Sequence, residues 1–156
     1  MGYRKFRAAE VFDGYKIRED HVLITNGAGQ IVNLLPSADA GEDQIFVEGM
    51  LIPGLINAHC HLELSHMKGL IPEGTGLVDF VCRIVAERHH PTEKILEAIH
   101  AAEDEMIRNG IVAVGDICNN SLTITQKQKG RILYYNFYET SGWVPAIAAE
   151  RIISAT

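Results

Sequence analysis

The sequence has no long apolar run, no stretch of basic residues and no regular spacing of cysteines. No apolar segment approaches the roughly 18 residues that a membrane-spanning helix needs, and residues 1–12 lack the apolar core of a signal peptide. The 156 residues include 14 Lys and Arg, which are scattered, against 20 Asp and Glu, a formal net charge of −6. We therefore expect a cytoplasmic protein with no nucleic-acid partner and no membrane partner.

Cysteine is scarce, and its spacing is uninformative for disulfides. The three residues, Cys60, Cys82 and Cys118, are far apart and form no CxxC pair. Such a set predicts neither a disulfide framework nor a structural zinc knuckle. Reduced thiols also fit the expected cytoplasmic location.

The first fifty residues alternate short apolar stretches with turn signals. We predict strands over residues 6–12, 22–25, 30–35 and 45–47, with Asp13-Gly14 and Asn26-Gly27 as two of the turns between them. Strands of this length with such turns indicate a small sheet of antiparallel hairpins. The segment Gly27-Ala28-Gly29 fits a hairpin turn better than a phosphate loop, because a third glycine and a following long helix are missing.

From residue 50 onward, single apolar strands alternate with helical stretches. Residues 50–58 form a nearly unbroken apolar run, which is typical of a strand buried on both faces of a parallel sheet. The later predictions are helices over 77–88, from 91 to Gly110 and over 145–154, strands over 111–117 and 131–138, and a short helix within 119–129. This order predicts a parallel α/β unit.

Two histidines end the apolar run around residue 58. On a strand, residues i and i+2 project from the same face, so His59 and His61 should lie side by side while Cys60 points away and packs as a small apolar residue. Paired imidazoles suit two ligands of one metal ion, and α/β barrels place active sites at the carboxyl ends of their strands. A coincidental pair on the surface or in the core is the open alternative.

Residues 51–62, Leu-Ile-Pro-Gly-Leu-Ile-Asn-Ala-His-Cys-His-Leu, resemble the opening signature of the amidohydrolase superfamily, in particular its chlorohydrolase and nucleobase or nucleoside deaminase branch. The resemblance implies an α/β fold in which a small β-sandwich subdomain, residues 1–52, precedes a (β/α)8 TIM-type barrel. Residues 53–156 would supply only about three βα units of that barrel, so we interpret the chain as the N-terminal portion of a longer enzyme.

The resemblance also implies a chemistry. One zinc or iron ion would be bound by His59 and His61, together with a histidine of barrel strand five and an aspartate of strand eight. Water activated by the metal would attack a carbon of a purine-like or nucleoside substrate, and ammonia would leave. The other ligands and the proton-transferring residues would lie beyond residue 156, so we expect the fragment alone to be inactive.

Three residues are candidates for binding a small-molecule substrate: Glu63 and His66 in the loop after the first barrel strand, and Arg88 at the end of the first helix. Each has an ordinary alternative, namely a solvated carboxylate, a solvated loop histidine and a structural salt bridge. Asp116 would point to the barrel mouth if Val114 faced the barrel interior. Otherwise Asp116 would cap or bond a neighbouring strand.

Two other functions stay open. A cyclic-amide hydrolase of the dihydroorotase or hydantoinase type would need a carboxylated lysine from strand four, which the chain lacks. A noncatalytic module would bind metal weakly or pair with a partner chain. Since three parallel strands leave an open edge, the rest of a longer chain or a second copy should cover it, and we expect a homo-oligomer.

Overall fold

The computed structural model describes residues 2–140 and 145–153. The chain divides into two compact units, Met1–Pro53 and Gly54–Thr156. The predicted boundary between residues 52 and 53 lies one residue before this division. That the first unit is a β-sandwich subdomain and the second the start of a barrel stays a prediction.

The first unit contains two small sheets. The four-stranded sheet has the order β5-β4-β1-β6 and consists of β1 (Arg4–Arg7), β4 (His21–Thr25), β5 (Ile31–Pro36) and β6 (Gln44–Phe46). The three-stranded sheet has the order β3-β2-β7 and consists of β2 (Glu10–Phe12), β3 (Ile17–Glu19) and β7 (Met50–Leu51). A 3-10 turn, Ser37–Asp39, follows β5.

Both turn signals form antiparallel hairpins, as predicted. The Asn26 side chain accepts hydrogen bonds from the amides of Ala28 and Gln30, each 3.0 Å long, between β4 and β5. Asp13 accepts from the amides of Tyr15 and Lys16, each 2.9 Å long, between β2 and β3. Short polar side chains that bond their own turn explain why these two positions could be identified from the sequence.

The single small sheet of antiparallel hairpins predicted for this unit is wrong in two respects. The predicted strand over residues 6–12 is two strands, β1 and β2, which belong to different sheets and are separated at the buried Ala8. In addition, β6 pairs with β1 and β7 pairs with β2 in parallel. Turn signals mark only strands joined by a tight turn, so they could not reveal these long-range parallel pairs.

The second unit is the predicted parallel α/β arrangement. Its sheet has the order β10-β9-β8, all parallel, from β8 (Leu55–Cys60), β9 (Ile111–Cys118) and β10 (Leu133–Tyr138). Its helices are α1 (Leu77–Glu87), α2 (Thr92–Arg108), α3 (Ile124–Lys127) and α4 (Ala148–Ile153), the last preceded by a 3-10 turn, Pro145–Ile147. Of the last predicted helix, Ser154 lies outside the described residues.

The apolar run over residues 50–58 is not one strand. It contributes β7 to the first unit and β8 to the second, and the break contains Pro53, which has no amide hydrogen for a ladder. The predicted burial of β8 on both faces is also wrong for the described residues, because Ile56 is 70% exposed. Leu133 and Tyr135, which line the same open sheet face, are 75% and 70% exposed.

The core of the second unit lies between the sheet and α2. The predicted stripe of α2 buries Ile95, Ile99 and Met106 against Leu62, Val114 and Ile132. Gly110, with a φ of 75°, follows α2 in the left-handed conformation that its position after the helix end predicts. Leu62 is fully buried in this core and directly follows His61, so α2 helps to hold the carboxyl end of β8 in place. Among the helices described, none is long and apolar enough to cross a membrane.

Candidate metal site

The two predicted imidazoles lie side by side at the carboxyl end of β8. The ring centroids of His59 and His61 are 5.3 Å apart and their planes are inclined by 68°. His59 is exposed, whereas the side chain of His61 is 30% exposed. The geometry is therefore that of two neighbouring nitrogen donors at an accessible strand end.

A backbone irregularity shapes this strand end. The register between β8 and β9 shifts between Asn57, which pairs with Val114, and Cys60, which pairs with Asp116. The strands approach so closely here that a Cβ on Gly115 would lie 2.8 Å from the carbonyl oxygen of Ala58. Gly115 therefore permits this irregularity, within which His59 lies.

Cys60 projects away from the histidine pair, as predicted. Its side chain packs against the apolar core of the second unit. Burial, helped by the negative charge of Asp116, raises the pKa of the thiol to about 12. Since a metal ligand must be a thiolate, this environment disfavours Cys60 as a ligand.

Two buried polar atoms at this site have no hydrogen-bond partner. They are Nδ1 of His61 itself and Oε2 of the nearby Glu63. Glu63 is 2% exposed, and its Oε1 lies 3.8 Å from Nδ1 of His61. The same Oε1 accepts a hydrogen bond of 3.4 Å from the amide of Asn119. Burial, and secondarily the charge of Asp116, raises the pKa of the Glu63 carboxyl above its usual range.

A buried ion pair fixes the backbone beside His61. The fully buried Asp116 accepts a hydrogen bond of 2.8 Å from the amide of Leu62 and pairs with Lys127 of α3. Nζ of Lys127 also donates to Oδ1 of Asn136 over 2.7 Å. Val114 packs with the residues of α2 rather than facing the open side of the sheet. Asp116 bonds the segment directly after the neighbouring strand β8, close to the strand bonding that was the predicted alternative.

The other two predicted substrate residues form a separate pair. His66 lies in the 3-10 segment Leu62–Met67, and its Nδ1 and Nε2 each lie 3.1 Å from a backbone carbonyl oxygen, of Glu63 and of Arg88 respectively. The ring of His90 packs against His66 with centroids 5.0 Å apart. Arg88 thus contacts His66 through its backbone, at the end of α1. The substrate-binding roles of Glu63, His66 and Arg88 stay predictions.

Sequence reasoning missed Lys127 and Asn119. One signal was available for Lys127: an aspartate that ends a buried strand needs a cation or several donors, and Lys127 is a nearby lysine in the polar segment that follows β9. No such signal marks Asn119, which interacts with Glu63 through its backbone amide.

The described residues carry only part of a metal donor set. Over 2–140 and 145–153, no group of three or more His, Cys, Asp or Glu side chains is arranged to hold a metal ion. Catalytic zinc sites use three protein ligands and a water. The adjacent imidazoles of His59 and His61 could supply two of these ligands.

Comparisons with known proteins find both sequence and fold similarity. No protein-family model matches it. A curated relative, the 5-methylthioadenosine/S-adenosylhomocysteine deaminase of Natronomonas pharaonis, is 30% identical over 105 residues, which is 65% of this chain and 24% of that protein. The chain therefore spans about a quarter of the relative's length.

Two solved structures share the fold at low identity. The aminofutalosine deaminase of Helicobacter pylori in complex with methylthio-coformycin matches with a TM-score of 0.72 and 20% identity, over 96% of this chain and 39% of that one. The atrazine chlorohydrolase of Arthrobacter aurescens complexed with zinc matches with a TM-score of 0.64 and 19% identity, over 92% and 37%. The chain is thus similar in sequence to a deaminase and in fold to a deaminase and a chlorohydrolase, which confirms the resemblance predicted from residues 51–62.

Proposed function

We propose that this chain is part of a longer metal-dependent amidohydrolase. Residues 1–52 would form a small β-sandwich subdomain, and residues 53–156 would supply about three βα units of a (β/α)8 barrel. The three parallel strands β8, β9 and β10 and the exposed apolar face that carries Ile56 and Leu133 support this reading. So does the match to 96% of this chain but only 39% of a solved deaminase.

The proposed reaction is hydrolytic deamination of a purine-like or nucleoside substrate. The observation that carries the proposal is the pair of adjacent imidazoles of His59 and His61 at the carboxyl end of a parallel strand. A curated relative named for the deamination of 5-methylthioadenosine and S-adenosylhomocysteine favours an adenine nucleoside as the first substrate to test.

One divalent metal would be held by His59 and His61 together with ligands from the rest of the longer protein. Zinc is the first choice, since a structure with this fold contains it, and iron is the alternative. When bound, such a metal acts as a Lewis acid and lowers the pKa of water. We also propose that the enzyme is cytoplasmic and a homo-oligomer.

The residues of this chain would hold His61 in place and shape the surroundings of the metal site. Asp116 holds the amide of Leu62 and so fixes the backbone from which His61 projects. The burial of Leu62 and Glu63 excludes water from the inner side of the histidine pair. His59, on the exposed side, leaves the other face of the site open to a small molecule.

The test is ammonia release by the full-length protein. We would assay adenosine, 5-methylthioadenosine, S-adenosylhomocysteine, aminofutalosine-like nucleosides, guanine and cytosine with zinc or iron supplied. We expect turnover of at least one adenine nucleoside, and its loss in the His59→Ala and His61→Ala variants. Turnover of dihydroorotate or hydantoin without release of ammonia from any of these amino compounds would contradict the proposal.

A further inference from the structure

The unpartnered atoms Nδ1 of His61 and Oε2 of Glu63 belong to neighbouring side chains, and both are buried. A buried polar atom without a hydrogen bond costs about 1–3 kcal/mol, so two of them side by side need an explanation. The two groups are complementary, because a carboxylate only accepts hydrogen bonds whereas a ring nitrogen can donate. Their closest recorded separation, 3.8 Å between Nδ1 and Oε1, is longer than a hydrogen bond, so a rotation of the side chains is needed to bring the two groups together.

A hydrogen bond from Nδ1–H to the carboxylate would determine which nitrogen of His61 keeps its lone pair. A neutral imidazole carries one proton, and if that proton is on Nδ1, then Nε2 is free to bind a metal. Metal-binding histidines commonly donate their second N–H to a carboxylate, which fixes the ring orientation and raises its basicity.

We propose that Glu63 is a positioning residue that accepts a hydrogen bond from Nδ1 of His61 and thereby presents Nε2 of that histidine to the metal. The proposal rests on the proposed function, in which His61 is a metal ligand. It assigns Glu63 a contact with a protein side chain in place of the predicted contact with substrate.

The surroundings of Glu63 suit this role. Its carboxylate is anchored from the end of β9 by the amide of Asn119, and its own backbone lies in the 3-10 segment that starts directly after His61. Because Glu63 is 2% exposed, water competes little for the carboxylate. The Leu62 amide between the two residues is bonded to Asp116, which holds the backbone between them while their side chains can still turn toward each other.

The experiment compares two variants of the full-length protein, Glu63→Ala and Glu63→Gln, with Glu105→Gln as the matched control. Glu105 is a carboxylate on α2 that pairs with the exposed Lys68. Zinc affinity is measured on the metal-free protein by competition with a chromophoric chelator. The protonated ring nitrogen of His61 is identified from imidazole 15N chemical shifts.

We expect Glu63→Ala to weaken zinc binding by about 10–100-fold and to reduce the share of the Nδ1–H form of His61. Glu63→Gln should lose less zinc affinity, because its amide oxygen can still accept the hydrogen bond from His61. This near-isosteric variant also keeps the test valid if the alanine variant fails to fold. Glu105→Gln should match the wild type.

Unchanged zinc affinity together with an unchanged tautomer in both Glu63 variants would overturn the proposal. So would a raised KM with wild-type zinc affinity, which would instead support substrate binding by Glu63. The His61→Ala variant distinguishes failure of the proposed function from failure of the positioning role alone. If it keeps wild-type zinc affinity, the metal site of the proposed function fails. If it loses zinc while the Glu63 variants do not, only the positioning role fails.

Discussion

At the end of β8, strand alternation separates two imidazoles from the thiol between them. This placement could be predicted from the sequence, because the side chains of His59, Cys60 and His61 are set by the period of a strand. The position of Glu63 could not be predicted in the same way. It depends on a 3-10 turn and on the amide of Asn119, which is 56 residues further along the chain.

The environment of Cys60 predicts low reactivity. Burial raises its thiol pKa to about 12, whereas Cys82 is exposed on α1. Since the thiolate is the nucleophile, iodoacetamide at pH 8 should label Cys82 of the full-length protein and leave Cys60 unlabelled until the protein is unfolded. Peptide mass spectrometry after timed labelling measures both rates. Equal rates at the two positions would contradict the burial of Cys60.

Among the elements, those with a local signal could be predicted from the sequence. The spacings of four, three and four residues from Ile95 through Ile99 and Ala102 to Met106 identify α2 and its buried face, and two turn signals identify the hairpins. The break between β7 and β8 and the parallel pairing of β1 with β6 depend on contacts between distant segments. A continuous apolar run contains no information about which of two sheets each half joins.

The Asp116–Lys127 pair joins β9 to α3, and its loss should destabilise the second unit. Both side chains are almost completely buried, so Lys127→Met would leave the Asp116 carboxylate without its cation. We expect the free energy of unfolding to fall by about 3–5 kcal/mol, measured by urea denaturation of the full-length protein.

The double variant Asp116→Asn, Lys127→Met is the control for that measurement. It removes the buried charge together with its partner, so it should be less destabilised than Lys127→Met alone. Equal losses in the single and double variants would show that the ion pair itself is unimportant.

On the scale of the whole molecule, the composition of the chain fits one globular domain, yet the structure has two units and an uncovered sheet face. The exposed Ile56, Leu133 and Tyr135 indicate a surface that another segment would cover. Composition could not reveal this, because it counts apolar residues without recording whether a partner segment is available to bury them.

The proposed function predicts that the 156-residue chain alone has negligible deaminase activity. Its described residues offer no group of three metal-binding side chains, and two imidazoles hold a divalent ion weakly. The activity of the short chain is measured as ammonia release from adenine nucleosides, with a preparation whose intact mass is 17.2 kDa. The full-length protein is the positive control. Robust turnover by the short chain would contradict the prediction.

The measurement that tests the account most directly is the metal content of the full-length protein, determined by inductively coupled plasma mass spectrometry. The wild type is compared with a variant in which His59 and His61 are both changed to alanine. The exposed neighbours His89 and His90, changed together to alanine, are the matched control. We predict about one equivalent of zinc or iron in the wild type and in the control, and none in the His59, His61 variant. Stoichiometric metal in that variant would contradict the assignment of the two histidines as ligands.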